Sequence, residues 1–136
     1  MRKERTNKLL ITTFVLYLTT VTLLCFIRGE NIPDVSNTWL GLPADKVVHF
    51  CMFLPFIPLS FFSFRKKNSS LGKDRFFLIV LLLLGSATAY ATEIIQARLG
   101  YRSYEIQDFI SDLGGLAVGY IVINAVLILK TRTKTR

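Results

Sequence analysis

Four uninterrupted apolar runs set what this chain can fold into. Residues 9–27 carry no charge, residues 47–64 hold only His49 as a group that charges near neutral pH, residues 76–95 are apolar until Glu93, and residues 110–129 carry one acid, Asp112. Each run is about 18–20 residues long, the length at which a helix rising ~1.5 Å per residue crosses roughly 30 Å of hydrocarbon. None alternates with the period of two that a half-buried strand requires. The chain therefore reads as all-α: a four-helix transmembrane bundle in a single membrane domain over residues 1–136, with helices at about 9–27, 47–64, 76–95 and 110–129. Gly41-Leu42-Pro43, Asn68-Ser69-Ser70 and Gly100 supply the breaks between them. Pro55 and Pro58 fall inside the second run, where each removes a backbone donor, and predict a kink or local thinning of that helix.

A net charge of +8 raises the question of nucleic acid, but the placement of the charge answers it. Arg2, Lys3, Arg5 and Lys8 precede the first run; Arg65, Lys66, Lys67, Lys73 and Arg75 join the second to the third; Lys130, Arg132, Lys134 and Arg136 follow the fourth. Only Arg28, Lys46, Arg98 and Arg102 fall on the opposite side. This asymmetry predicts cytoplasmic N- and C-termini and a cytoplasmic middle loop. The expected location is the cytoplasmic (inner) membrane, multi-pass, with the lipid bilayer as partner and no nucleic acid. The first run is too long for the core of a signal peptide and no A-x-A-like site follows it. Cys25 and Cys51 lie near the outer ends of their helices, where a disulfide is conceivable; two buried, inert thiols are the simpler expectation.

That topology brings two polar stretches to the extracytoplasmic face. Residues 92–115, TEIIQARLGYRSYEIQDFISDLGG, gather four acids and two arginines in an otherwise apolar chain, and residues 43–50, PADKVVHF, open the second helix. Helical spacing puts Asp45, Lys46 and His49 on one face of that opening. Ser86, Ala89, Glu93 and Gln96 form a stripe on the third helix, and Asp108, Asp112, Gly115 and Gly119 share a narrow arc of the fourth. The two glycines make a G-x-x-x-G through which a neighbouring helix can approach closely. An acid near a helix N-terminus is favoured by the dipole, and Asp108 can serve as a cap. Glu93 and Asp112 lie within spans, where an ionisable group costs at least ~2–3 kcal/mol at mid-membrane and so faces a partner or water. Such a set suits an interhelical ionic lock as well as a functional site.

DKVVHF followed by TEIIQARLGYRSYEIQDFISDLGGLAVG resembles the VanZ-like family of small bacterial membrane proteins. The likeness runs from Asp45 to Gly119 as an ordered series: D-K-x-x-H at the start of a helix, E-x-x-Q at the end of another, an arginine in the short loop, then D-x-x-x-N-x-x-G. Carried over by position, the characteristic polar residues fall on Asp45, Lys46, His49, Glu93, Gln96, Arg102 and Asp108. Asp112 stands in place of the usual asparagine, and Phe53 where tyrosine is common.

The family is named for a protein associated with low-level teicoplanin resistance. The resemblance therefore implies a cell-envelope protein, with a glycopeptide (teicoplanin) resistance-like role and a polar outer site formed by Lys46, His49, Glu93, Gln96, Arg102, Asp108 and Asp112. A lipid-linked cell-wall precursor, another anionic envelope component or the glycopeptide itself would be its partner. Lys46, Arg98 and Arg102 are then the groups expected to meet phosphate or headgroups. The alternative is a membrane-embedded enzyme acting on a phosphorylated or lipid-linked substrate by His/carboxylate acid–base or metal chemistry. Its candidate catalytic residues are His49, Asp45, Glu93 and Asp108, with Asp45 orienting His49. No nucleophile elbow, phosphate-binding glycine loop or H-E-x-x-H is present, so the non-catalytic reading is preferred. A divalent metal on Asp108, Asp112, Glu93 and His49 is chemically possible, but their spacing matches no metal motif, and no metal or cofactor is expected.

Overall fold

A computed structural model describes residues 2–25, 38–39, 42–100 and 105–134. Helix α1 spans Arg2–Cys25, and a short antiparallel pair follows, β1 Thr38–Trp39 with β2 Leu42–Pro43. The remaining elements are α2 Ala44–Phe53, α3 Phe56–Phe64, α4 Leu71–Arg98 and α5 Ile106–Lys134. The fold is thus all-α, and four stretches are long and apolar enough to cross a membrane: Asn7–Cys25, Ala44–Phe64, Leu71–Arg98 and Ile106–Arg132. Their lateral faces carry bare apolar side chains, among them Leu16, Phe76, Leu83 and Ile121, each more than half exposed. In water such continuous apolar surface would drive aggregation, whereas in a bilayer it is the surface that lipid solvates.

The second span is broken where proline predicts it. Leu54 and Pro55 separate α2 from α3, yet both keep right-handed helical torsions, so the chain continues across the interruption. Leu54 N–H donates to the Phe50 carbonyl at 3.0 Å and Leu59 N–H to the Pro55 carbonyl at 2.9 Å, which carries the ladder to either side. Tyr17 of α1 donates its hydroxyl to the Met52 carbonyl at 2.6 Å, close to the break, in the way neighbouring helices satisfy proline-interrupted backbone in membranes.

Helix α5 packs against this segment through its two glycines. A Cβ on Gly115 would collide with the Phe50 carbonyl oxygen and lie 2.9 Å from Leu54 N, and one on Gly119 would lie 2.8 Å from the Leu54 carbonyl oxygen. Hydrogen at these positions lets the two backbones touch, as small residues do at membrane helix interfaces. Below them, Phe53, Phe56, Ile57, Phe61, Leu78 and Leu116 join the buried core. Phe14 anchors α1 to it, with rings edge-on to Phe56 and Phe64 at centroid distances of 6.1 and 5.5 Å.

One smaller expectation, on the cysteines, resolves here. Cys25 and Cys51 form no disulfide; Cys25 is buried, but Cys51 is exposed, against the expectation of two buried thiols, because it falls on the side of α2 turned away from α5 together with exposed Val48. Thr13, Thr19, Thr20 and Thr22 bond back to the carbonyls of Leu9, Val15, Leu16 and Leu18, so these hydroxyls are satisfied within α1.

Candidate functional site

The close approach of α5 to α2 aligns the polar first turns of both helices at one end of the bundle, and α4 brings its last turns beside them. Ala44 and Pro43 start α2 without a side-chain cap, which leaves Asp45 and Lys46 free to face α5. The result is a cluster in two tiers.

The upper tier centres on the Lys46 ammonium. It pairs with Asp45 Oδ2 at 2.9 Å, with Glu105 Oε2 at 2.5 Å, and most closely with Asp108 Oδ1. Exposure falls steeply across the set: the Glu105 side chain is 49 % exposed, that of Lys46 12 % and that of Asp108 6 %. Water and salt therefore screen the pair with Glu105 far more than the pair with Asp108.

The lower tier centres on His49. Its Nδ1 lies 3.1 Å from Asp112 Oδ1 and 3.9 Å from Glu93 Oε1, while its Nε2 lies 3.5 Å from Asp108 Oδ2. All of these side chains are buried, Asp112 completely. The second oxygen of Asp112, Oδ2, accepts no hydrogen bond among the described residues. Asp108 joins the tiers, since one oxygen faces Lys46 and the other His49. Its side chain thus links helices rather than simply capping α5.

A family model described as VanZ/LLP1 matches residues 7–129, a stretch that contains both tiers, the first three spans and all but the last three residues of the fourth. The chain belongs to the VanZ/LLP1 family. No functionally curated protein and no experimentally solved structure matches it. As a VanZ/LLP1 protein with four apolar spans, the chain is a multi-pass membrane protein.

Of the residues selected from the sequence of this VanZ/LLP1 protein, Asp45, Lys46, His49, Glu93, Asp108 and Asp112 converge in the cluster. Gln96 is buried but turns elsewhere: its Nε2 donates to the Cys25 carbonyl at 2.6 Å, tying α4 to the end of α1. Arg102 lies outside the described residues, as does Tyr101, and Arg98 is exposed at the end of α4. One pairing differs from expectation: Asp45 faces Lys46 rather than orienting His49, because Lys46 is its immediate neighbour at the start of α2. Glu93 stands beside His49. Glu105 is the cluster member not selected from the sequence. Its position just before Ile106, the first residue of α5, and three residues before Asp108 was the available signal.

The opposite end of the bundle carries a separate ion pair. Arg65 donates through Nε and Nη2 to Asp74 Oδ2 at 2.9 and 2.6 Å, fixing the loop between α3 and α4.

Proposed function

We propose that this VanZ/LLP1 protein acts in the bacterial cytoplasmic membrane as a non-catalytic envelope protein. In this reading its polar cluster faces the outside and engages a lipid-linked envelope component, with a glycopeptide (teicoplanin) resistance-like effect on the cell. The orientation rests on the basic flanks at Arg2–Lys8, Arg65–Arg75 and Lys130–Arg136, which favour the cytoplasmic side.

The observation that carries the functional reading is an imbalance of charge. Among the described residues, the carboxylates of Asp45, Glu105, Asp108 and Asp112 already outnumber the one ammonium and one imidazole that they surround. A lock built for stability needs acids and bases in equal number, and well-packed apolar residues would serve as well or better. Excess acid held at the edge of an apolar bundle opposes stability and supports a role beyond it. It also revises which group meets an anion. Lys46 is already shared by three carboxylates, so a phosphate or headgroup is met by Arg98, exposed at the end of α4, and by Arg102. The acidic tier suits the cationic or hydroxyl-bearing part of the same amphiphile, whose chains lie along the exposed apolar faces.

The enzyme reading draws on His49, whose two ring nitrogens both face carboxylates. That arrangement orients an imidazole well, but at 4 % exposure it leaves neither nitrogen turned toward a substrate, which favours the non-catalytic reading. The experiment that separates the two offers purified protein in nanodiscs polyprenyl phosphates and lipid-linked cell-wall precursors, with and without divalent metal. No product is expected, whereas expression in a susceptible host is expected to change sensitivity to a lipoglycopeptide. Turnover abolished by His49→Ala would select the enzyme.

A further inference from the structure

The lower tier has the donor set and the spacing of a metal site. One nitrogen of His49 and one carboxylate oxygen each from Glu93 and Asp112 lie within 4.8 Å of one another, and all three residues are buried. Ligand atoms bound to one ion at about 2.0–2.1 Å stand roughly 3.4 Å apart in a tetrahedral arrangement. The 3.1 and 3.9 Å separations from His49 Nδ1 to Asp112 and Glu93 bracket that value.

An observation independent of the clustering points to a ligand. Asp112 is 0 % exposed, and among the described residues its Oδ2 has no hydrogen-bond donor, on the same carboxylate that faces His49. A buried carboxylate oxygen without a donor is costly, and a cation is one of the few groups that satisfies it.

The groups behind the histidine fit as well. A metal-bound imidazole donates its other N–H to a carboxylate, which fixes tautomer and ring orientation. Asp108 Oδ2 lies 3.5 Å from His49 Nε2, and the other oxygen of Asp108 is held by Lys46. A neutral imidazole, two carboxylates and one divalent cation also sum to no net charge, the condition an apolar surrounding favours. A nitrogen donor beside two carboxylates suits a borderline transition metal over Mg2+ or Ca2+, which prefer all-oxygen shells. The acids of the upper tier, Asp45, Glu105 and Asp108, also lie close together, but the Lys46 ammonium occupies their centre.

We infer that His49, Glu93 and Asp112 bind one divalent transition-metal ion of the Zn2+ type, with Asp108 as a positioning residue behind the imidazole. This deepens the reading of the cluster as a functional site and rests on the same residues.

The test uses the full chain, tag removed, in nanodiscs, stripped with a chelator and reloaded with Zn2+, with Co2+ as a spectroscopic probe. Elemental analysis should find about one Zn2+ per chain, and Co2+ should give visible d–d bands that Zn2+ abolishes. Asp112→Asn, which keeps the shape of the side chain, should weaken Zn2+ binding at least about tenfold without lowering the melting temperature of the metal-free protein. Asp108→Asn should weaken it by roughly 10–100-fold at unchanged stoichiometry and shift the Co2+ bands. Absence of bound Zn2+, equal affinity in Asp112→Asn, or a preference for Mg2+ or Ca2+ would overturn the metal site. Loss of the cellular phenotype in His49→Gln without any bound metal would overturn the metal and leave the proposed function standing; bound metal with no phenotype would do the reverse.

Discussion

His49 Nδ1 stands 3.1 Å from Asp112 Oδ1, joining the second turn of α2 to the second turn of α5 across 63 positions of sequence. Asparagine at position 112 would offer the same acceptor without the charge. Asp112→Asn is therefore expected to leave the metal-free protein at least as stable as wild type in detergent melts. A clear drop in melting temperature would show that the carboxylate is balanced in the metal-free protein.

Lys46 presents the opposite case. Replacing it by methionine keeps most of the stem but strands three carboxylates. Breaking a buried pair costs about 3–5 kcal/mol, and partial exposure of Asp45 and Glu105 places the expected loss near the lower figure. Glu105→Gln, at the exposed rim, is expected to change stability by less than about 1 kcal/mol. Chemical denaturation of the two variants checks the order, and equal losses would contradict the tiered arrangement.

Close contact of α5 with the broken second span gives a packing prediction. Gly115→Ala places a methyl group against the Phe50 carbonyl and Leu54 N, and is expected to destabilise by more than about 2 kcal/mol. Gly72→Ala, with nothing within 4 Å of its added carbon, is expected to be neutral or to stabilise by up to about 1 kcal/mol. Melting temperatures of both variants in one detergent decide the point.

The spans were legible because run length is a local property: no charge occurs in residues 9–27, and the prolines at 55 and 58 are visible where they stand. Helical periodicity likewise placed Lys46 and His49 on one face, and Asp108 and Asp112 on another. Which partner each group takes was not legible. Lys46 meets Glu105 and Asp108 from 59 and 62 positions away, and only the depth at which α5 packs decides that Asp108 reaches both Lys46 and His49. The Gln96 bond to the Cys25 carbonyl and the Tyr17 bond to the Met52 carbonyl were hidden for a simpler reason, since a backbone acceptor has no side-chain signature. His49, Glu93 and Asp112 come from three different helices, so no spacing motif records their clustering.

Orientation is tested by single cysteines at positions 39, 69, 101 and 134 in a protein lacking Cys25 and Cys51. A membrane-impermeant thiol reagent applied to intact cells should label positions 39 and 101 only. Labelling of position 69 from outside would invert the topology and place the polar cluster in the cytoplasm.

The central claim is that the His49 cluster serves function and not only the joining of helices. The most direct measurement is lipoglycopeptide susceptibility of a host expressing wild type or His49→Gln at equal membrane abundance, with both proteins melted in detergent. Glutamine retains hydrogen-bonding capacity facing Asp108 and Asp112, so the two melting temperatures should lie within a few degrees while the susceptibility change produced by wild type disappears in the variant. A variant that folds equally well and retains the full susceptibility change would contradict the account.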